Sequence, residues 1–578
     1  MIIQPLVNLV DLCARKGIRH VVISPGSRSA ALTLAFARHP NLETKVIPDE
    51  RAAGFIALGL AQATGRPVAL VCTSGTAAYN FAPAVAEAFF QEIPLVVLTA
   101  DRPPEWIQQR DGQMIFQNGI FGRHVKESVT LPADFTHSDT VWFVERLLNQ
   151  NLDLCVSAPK GPIHVNVPIR EPFYPEPDET LQFNHPVRII ERVESHRSLS
   201  ASVWAELVGE WEDAERVLIA VGQGYPVPGL IDALRTLSDE FGVVILGDVI
   251  ANLPGTEPFL GQQDAVMMQG GASLESLRPD LLITCGQSFV SKNLKLFLRR
   301  YPPRAHWHVA ISDVLVDPFQ TLTKQVPVEA DYFFKTLVDE LEGPYIRSAL
   351  DEEEHPAAYR TAWFEQERRS KRTLQQLLTK QLEFNEFSAV AQVLERVPDR
   401  GQLHLANSMA VRYANFVGRQ PHQQIRVFAN RGTSGIDGCL STAVGAAMAT
   451  DEPVVALIGD IAFFYDRNAL WHPHVPPNLR IVLLNNHGGN IFRMIDGPAR
   501  QPELVQYFET PHELNARRTA EEFGLRYQRT TDATSLQAAL DTFFEPTGDP
   551  ALLEIETDRA INAQVFTAFK AVMRTGSR

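Results

Sequence analysis

Short unbroken apolar runs alternate along the whole chain with longer segments whose apolar positions recur at helical spacing. A strand buried on both faces reads as a continuous apolar run, and a strand with one wet face alternates. The pattern therefore predicts an α/β protein built from doubly wound parallel sheets. In the first third the runs are HVVIS, PVALVCTS, IPLVVLTA and PIHVNVP. The middle third has RVLIAVGQG, GVVILGDV, DLLITCG and HWHVAIS. The last third has QLHLAN, IRVFANRG, PVVALIGD, RIVLLNN and ALLEIET. The polar, Pro-rich stretch REPFYPEPDETLQFNHP reads as a linker near 171–187, and the charged RSALDEEEHPAAYR as a boundary near 347–360. Three domains are expected, at 1–178, 188–346 and 360–578.

The first and last thirds repeat each other. With Pro67 set against Pro453, Ser74 meets Asp460 and Glu50 meets Ile436. The small-residue helices between these points correspond, and LVVLTADR falls opposite IVLLNNHG. Upstream, VVISPGSRSAALTLAF and LHLANSMAVRYANFV both read as strand, polar turn, helix. Any two doubly wound domains share a strand–helix rhythm, but agreement of register over consecutive elements favours a duplicated fold. A ligand then has a natural place between two similar units, at their strand ends.

One repeat carries chemistry that the other lacks. The run PVVALIGD ends in Gly459 and Asp460, and twenty-six positions after Asp460 the run RIVLLNN ends in Asn485 and Asn486. The chain holds its own control: GVVILGDV also ends in Gly–Asp, at Gly247 and Asp248, yet position 274 is a leucine in a helix-like run. Groups at strand carboxyl ends face the ligand crevice of an open α/β sheet. A carboxylate and an amide oxygen suit Mg²⁺, which takes oxygen ligands and shares them with phosphates, better than they suit zinc. Asp460 as a helix cap and the asparagines as a turn remain the alternative.

Composition narrows the field. A chain of 578 residues exceeds one core, and 45% hydrophobic with 21% charged residues is ordinary globular material. The formal net charge of −15 argues against a general nucleic-acid or membrane-surface binder. No apolar run reaches membrane-spanning length, so no stable membrane insertion is expected. The first residues lack a basic segment and a cleavage site, and read as helix then strand. Five scattered cysteines without a C-x-x-C fit a reducing compartment, and a cytoplasmic location is expected.

The spaced GD and NN resemble the thiamine-diphosphate motif. Within that superfamily ISPGSRS, DERAAGF, TSGTA, TADRPPE and NRGTSGIDG resemble the 2-succinyl-5-enolpyruvyl-6-hydroxy-3-cyclohexene-1-carboxylate (SEPHCHC) synthases of menaquinone biosynthesis. The likeness is strong in the first and last thirds and weaker in the middle. It implies pyrimidine-binding, central and diphosphate-binding domains, and a homodimer or homotetramer with active sites between subunits. It also implies thiamine diphosphate with Mg²⁺ or Mn²⁺ as cofactors. The implied reaction is a transferase reaction: decarboxylation of 2-oxoglutarate, then 1,4-addition of the succinyl unit to isochorismate. Asp460, Asn486 and the Gly488 carbonyl would be the metal ligands. Glu50 would be catalytic through the aminopyrimidine ring. Ser408, Ile436 and Gly459 would touch the cofactor, Ile436 as an apolar wedge.

Both implied substrates are dicarboxylates, so an acidic protein needs local cations, and the planar fork of arginine suits carboxylates. The matching positions are Arg28, Arg102, Arg412 and Arg431. Ser27 and Gln113 match polar contacts, Ile491 and Phe492 an apolar wall, and Lys292 one member of a basic pair whose partner here is Asn293. His472, His474 and His487 receive no role from the likeness and read as structural. Ile461 stands where the superfamily usually has glycine. That disfavours the alternative of another 2-oxoacid decarboxylase or an acetohydroxyacid synthase-like enzyme.

Overall fold

The computed structural model describes residues 3–171, 174–176, 179–183, 186–269, 272–342, 355–379 and 383–575. The expected linker near 171–187 and boundary near 347–360 lie partly outside these residues. Three parallel six-stranded sheets dominate the described chain. The first contains β1 (His20–Ile23), β2 (Glu43–Val46), β3 (Val68–Cys72), β4 (Leu95–Asp101), β5 (Ser128–Thr130) and β6 (Ile163–Pro168). Its order is β2-β1-β3-β4-β6-β5. The second contains β7 (Val217–Val221), β8 (Val244–Gly247), β9 (Phe259–Leu260), β10 (Leu281–Cys285), β11 (Ala305–Val309) and β12 (Lys324–Val326). The third contains β13 (Gln402–Leu405), β14 (Arg426–Phe428), β15 (Val454–Gly459), β16 (Leu479–Asn485), β17 (Arg526–Thr530) and β18 (Ala551–Glu556).

The third sheet runs β14-β13-β15-β16-β18-β17, which repeats the order of the first strand for strand. The second runs β12-β11-β10-β7-β8-β9, the arrangement of a dinucleotide-binding sheet. The likeness of the first and last thirds is therefore one of topology, and the middle unit is a different winding. The first and third units are locked by a helix pair, Glu50–Thr64 against Cys439–Ala447. A Cβ added at Gly59 would lie 2.0 Å from the Thr442 carbonyl oxygen, and one at Gly445 would lie 2.1 Å from that of Ile56. Only glycine permits that approach. One apolar core consequently runs from Leu70 and Phe55 in the first unit to Leu457 and Ile481 in the third.

The Glu50–Thr64 helix starts where Asp49 accepts from the Ala52 N–H at 3.0 Å, and stops at Gly65 in the left-handed region. The long helix His355–Thr379 joins two units. Trp363 and Phe364 lie in the core of the middle unit, and Leu374 and Leu377 in that of the last.

Candidate active site

β15 and β16 are neighbours, paired from Val454 opposite Leu479 to Gly459 opposite Leu484. Their carboxyl ends bring Asp460 and Asn486 to one edge of the third sheet. Asp460 opens the short helix Asp460–Tyr465 and is 2% exposed. Its Oδ1 accepts from the Ile461 N–H at 2.7 Å and its Oδ2 from the Gly488 N–H at 2.9 Å. His512 Nε2 lies 3.3 Å from the same Oδ2. Asn485 turns away from this edge, donating to Glu554 at 2.6 Å and to the Leu514 carbonyl at 3.0 Å.

Asn486 is 7% exposed. Its Nδ2 donates to Glu386 Oε1 at 2.6 Å, whereas its Oδ1 is buried with no hydrogen-bond partner among the described residues. A buried acceptor without a donor is costly unless something absent from the protein itself satisfies it. The Gly488 carbonyl accepts from the Asn490 N–H at 2.9 Å and keeps a second lone pair. A carboxylate, a donor-less amide oxygen and a carbonyl are the oxygen set that suits a small divalent cation, and these three could hold one. Burial pushes the Glu386 carboxyl up to about 7, the Asn486 bond opposing and the nearby Asp460 charge adding to the rise.

A second layer closes over this edge. A Cβ on Gly488 would lie 2.9 Å from the Glu509 carbonyl, and the Gly489 N–H donates to that carbonyl at 2.7 Å. The buried Glu509 carboxylate receives both arms of Arg493, at 2.6 Å each. Phe492 packs on Phe508 and Ile491 on the main core, which makes this wall apolar. Gly459 precedes the site without a Cβ contact, and Ile436 is half-buried against the same core. Ser408 holds φ 74 as it starts the helix Met409–Val417, an unusual conformation for a residue with a side chain.

The cations form two groups on different units. In the first unit a cleft of about 360 Å³ is lined by Arg28, Arg102, Pro103, Trp106, Asp111, Arg170 and Glu171. Arg28 is buried, donates to the Ile169 carbonyl at 3.1 Å, and is lowered in pKa by burial and then by Arg102. Arg102 donates twice to the Gly112 carbonyl and pairs with Asp111 at 2.6 Å. That fixes the loop of Gln113, which is exposed with φ 56, while Ser27 is exposed beside Arg28. Glu50 lies at this end of its helix, 3.5 Å from the Asn80 amide.

In the last unit Arg431 donates to Asn407 Oδ1 at 3.0 Å. Arg412 is lowered in pKa by burial and then by Arg431, with Asp264 of the middle unit opposing. Lys292 is exposed, whereas Lys295 is half-buried and within electrostatic reach of Arg431. Asn293 donates to the Asp264 carbonyl at 3.3 Å, so its side chain is spent on the fold.

Models of thiamine pyrophosphate enzymes match all three units. The N-terminal TPP binding domain matches 8–121, the middle domain 192–405 and the C-terminal TPP binding domain 408–555. Curated relatives match end to end. A protein of Cytophaga hutchinsonii is 42% identical over 99% of both chains. One of Porphyromonas gingivalis is 38% identical over 97% of this chain and 96% of its own. One of Flavobacterium johnsoniae is 37% identical over 95% of each. All three bear the name 2-succinyl-5-enolpyruvyl-6-hydroxy-3-cyclohexene-1-carboxylate synthase. The chain belongs to this synthase family.

In this SEPHCHC synthase family member, the third unit holds Asp460, Asn486, Gly488, Gly459, Ser408, Ile436, Ile491, Phe492, Arg412 and Arg431. The first unit holds Glu50, Ser27, Arg28, Arg102 and Gln113, of which Arg28 and Arg102 line one cleft. Three groups beside the site escaped sequence reasoning. His512 and Glu386 reach the metal-type edge from distant segments, and nothing in their local sequence marks them. Glu87 is the third. It is fully buried and accepts from the Gly432 N–H at 2.8 Å and the Thr433 N–H at 2.7 Å, clamping the loop of Arg431. Of the histidines expected to be structural, His472 is lowered to about 4 by burial, and His487 lies 3.5 Å from Glu556.

Proposed function

We propose that the chain decarboxylates 2-oxoglutarate and adds the succinyl unit to isochorismate in a 1,4 sense, giving SEPHCHC and CO₂ for menaquinone biosynthesis. One observation carries the reading: a buried carboxylate beside a donor-less amide oxygen at adjacent strand ends, in a chain 42% identical to a synthase of that name over 99% of its length. When bound, thiamine diphosphate supplies the acyl-carbanion chemistry. Asp460, Asn486 and the Gly488 carbonyl would hold Mg²⁺ or Mn²⁺, which would supply charge to neutralise a diphosphate. Glu50 holds a proton at the pyrimidine ring. Ile436 and Ser408 shape the cofactor cradle. The Arg28–Arg102 and Arg412–Arg431 pairs, with Ser27, Gln113 and Lys292, bind and orient the carboxylates, and Ile491 and Phe492 exclude water.

The two half-sites complete each other across a subunit interface of a homodimer or homotetramer. Exposed aromatic side chains beside the first half support this: Tyr79, next to Asn80, is 54% exposed and Phe116, near Gln113, is 65% exposed. Co-expressed Glu50→Gln and Asp460→Asn chains, each inactive alone, regain about a quarter of wild-type activity, because mixed dimers carry one intact site. Activity that never returns on mixing contradicts shared sites.

The free, buried cysteines fit a reducing, cytoplasmic setting. No described helix is long and apolar enough to cross a membrane. An acetohydroxyacid synthase-like enzyme is disfavoured by the relatives, which bear the SEPHCHC synthase name over nearly the full chain. The loops that follow β7 and β10 are tied to each other, the Gly222 N–H donating to the Cys285 carbonyl and the Gln287 N–H to that of Gln223, both at 2.8 Å. Purified protein given thiamine diphosphate, Mg²⁺, 2-oxoglutarate and isochorismate should consume isochorismate, and pyruvate should not replace 2-oxoglutarate. No loss of isochorismate with cofactor bound would refute the reading.

A further inference from the structure

We infer that Glu386 is a positioning residue, which sets the Asn486 amide so that its oxygen, and not its nitrogen, is presented to the metal ion. The inference rests on the metal reading above. An asparagine amide has two ends of nearly equal size and opposite polarity, and only the oxygen end can ligate a cation. Asn486 Oδ1 has no donor among the described residues, so the oxygen end is not fixed from its own side. The nitrogen end is fixed. Nδ2 donates to Glu386 Oε1 at 2.6 Å, across 100 positions of sequence. Glu386 Oε1 thus takes the nitrogen end of the amide, and Oδ1 is turned to the other side.

The carboxylate itself is held firmly. Glu386 is 1% exposed and opens the helix Glu386–Arg396, where the helix N-terminus favours a negative charge. Asn385 caps that helix, accepting from the Ser388 N–H at 3.0 Å, and the Glu386 N–H donates to Asn562 Oδ1 at 2.9 Å. Asn562 is in turn tied to Thr557, just beyond β18, at 2.9 Å. Glu386 is thus built into two elements of the third unit and makes its hydrogen bond to the site through Asn486. Groups that orient a metal ligand in this way typically change affinity by about 10–100-fold when removed.

The test measures the Mg²⁺ concentration that half-saturates thiamine diphosphate binding, read by intrinsic fluorescence and separately from turnover, with thermal unfolding of the metal-free protein alongside. In Glu386→Gln the new amide can accept from Nδ2 or donate to Oδ1, so the orientation is no longer imposed. The expected result is a rise of about 10–100-fold in the Mg²⁺ requirement, with activity restored at high Mg²⁺. Asn486→Asp alone should also bind poorly, with one carboxylate facing another. The double variant Glu386→Gln with Asn486→Asp should regain affinity. Both ends at position 486 are then oxygens, and the amide introduced at position 386 can donate to one of them. A role confined to folding would lower the unfolding temperature and predict no such rescue. If Glu386→Gln does not fold, the double variant alone decides. An unchanged Mg²⁺ requirement in Glu386→Gln, or a double variant no better than Asn486→Asp, overturns the inference. Asp460→Asn separates the two levels: if it too leaves the Mg²⁺ requirement unchanged, the metal reading itself has failed.

Discussion

Two strands of this chain end in Gly–Asp, and the two aspartates are equally buried, Asp460 and Asp248 each at 2% exposure. They differ in what satisfies them. Asp248, at the end of β8, accepts from the Val290 and Ser291 N–H groups, from Gln263 Nε2 and from Asn415 Nδ2. Its oxygens are fully used by protein donors, and it ties the middle unit to the last. Asp460 accepts from only two backbone N–H groups among the described residues, beside a histidine and an asparagine whose oxygen has no donor. Burial of a carboxylate therefore does not identify a metal site. An amide oxygen without a donor among the described residues, beside the carboxylate, is the feature that sets the Asp460 edge apart. The Gly247–Asp248 copy is a sound control for the motif but not an idle one, since it anchors the turn that leads into Lys292.

The comparison is broken or sharpened by substitution. The largest effect is expected at Asp460. Asp460→Asn should lower kcat/KM by on the order of 10³, since the lost ion supplies several kcal/mol of charge stabilisation. Its unfolding temperature should stay near that of the wild-type apoprotein. Asp248→Ala should do the reverse. It strands buried donors from three segments and should destabilise the fold by about 3 kcal/mol. Cofactor affinity, measured at low temperature on folded protein, should remain within about threefold, well under the tenfold that 1.4 kcal/mol represents. Equal thermal losses in the two variants would erase the distinction between them.

The smallest effect concerns Asp264, which accepts from Ser291 Oγ at 2.7 Å beside Asp248. Burial, with the Asp248 charge adding, pushes its carboxyl from 3.8 up to about 6. Between those values the folded chain keeps at Asp264 a proton that the unfolded chain has lost, so the contribution of this group to stability falls as pH rises through this window. Asp264→Asn still accepts from Ser291 and cannot ionise. It should flatten that slope and gain on the order of 2 kcal/mol near neutrality. Thermal unfolding followed from pH 4 to pH 7, in ~1-unit steps on the scale of the shift, reads the change. Wild type and Asp264→Asn with the same slope over this range would show that Asp264 ionises readily in the fold.

The fold was legible where strands are buried on both faces. Each apolar run became a strand, and the in-register repeat became a shared sheet order. The strands that pattern reading missed are β2, β5, β9, β12 and β17, and every one lies at a sheet edge. An edge strand has no second neighbour to demand an apolar run, and ETKV or RYQRT looks like a loop. The site divides in the same way. Asp460 and Asn486 sit at the ends of readable strands, so their juxtaposition was visible in the spacing. Glu386 comes from a helix start where Asn–Glu reads as an ordinary cap, and His512 from a segment with no periodicity. Their meaning lies in contacts that only the folded chain creates.

The most direct measurement titrates thiamine diphosphate into metal-stripped wild-type, Asp460→Asn and Asp248→Asn protein, with and without Mg²⁺, by calorimetry. The expected result is tight binding only with Mg²⁺ in the wild type and in Asp248→Asn, and none in Asp460→Asn. Binding in the wild type that ignores Mg²⁺, or binding in Asp460→Asn that matches it, would contradict a metal–diphosphate seat at the ends of β15 and β16.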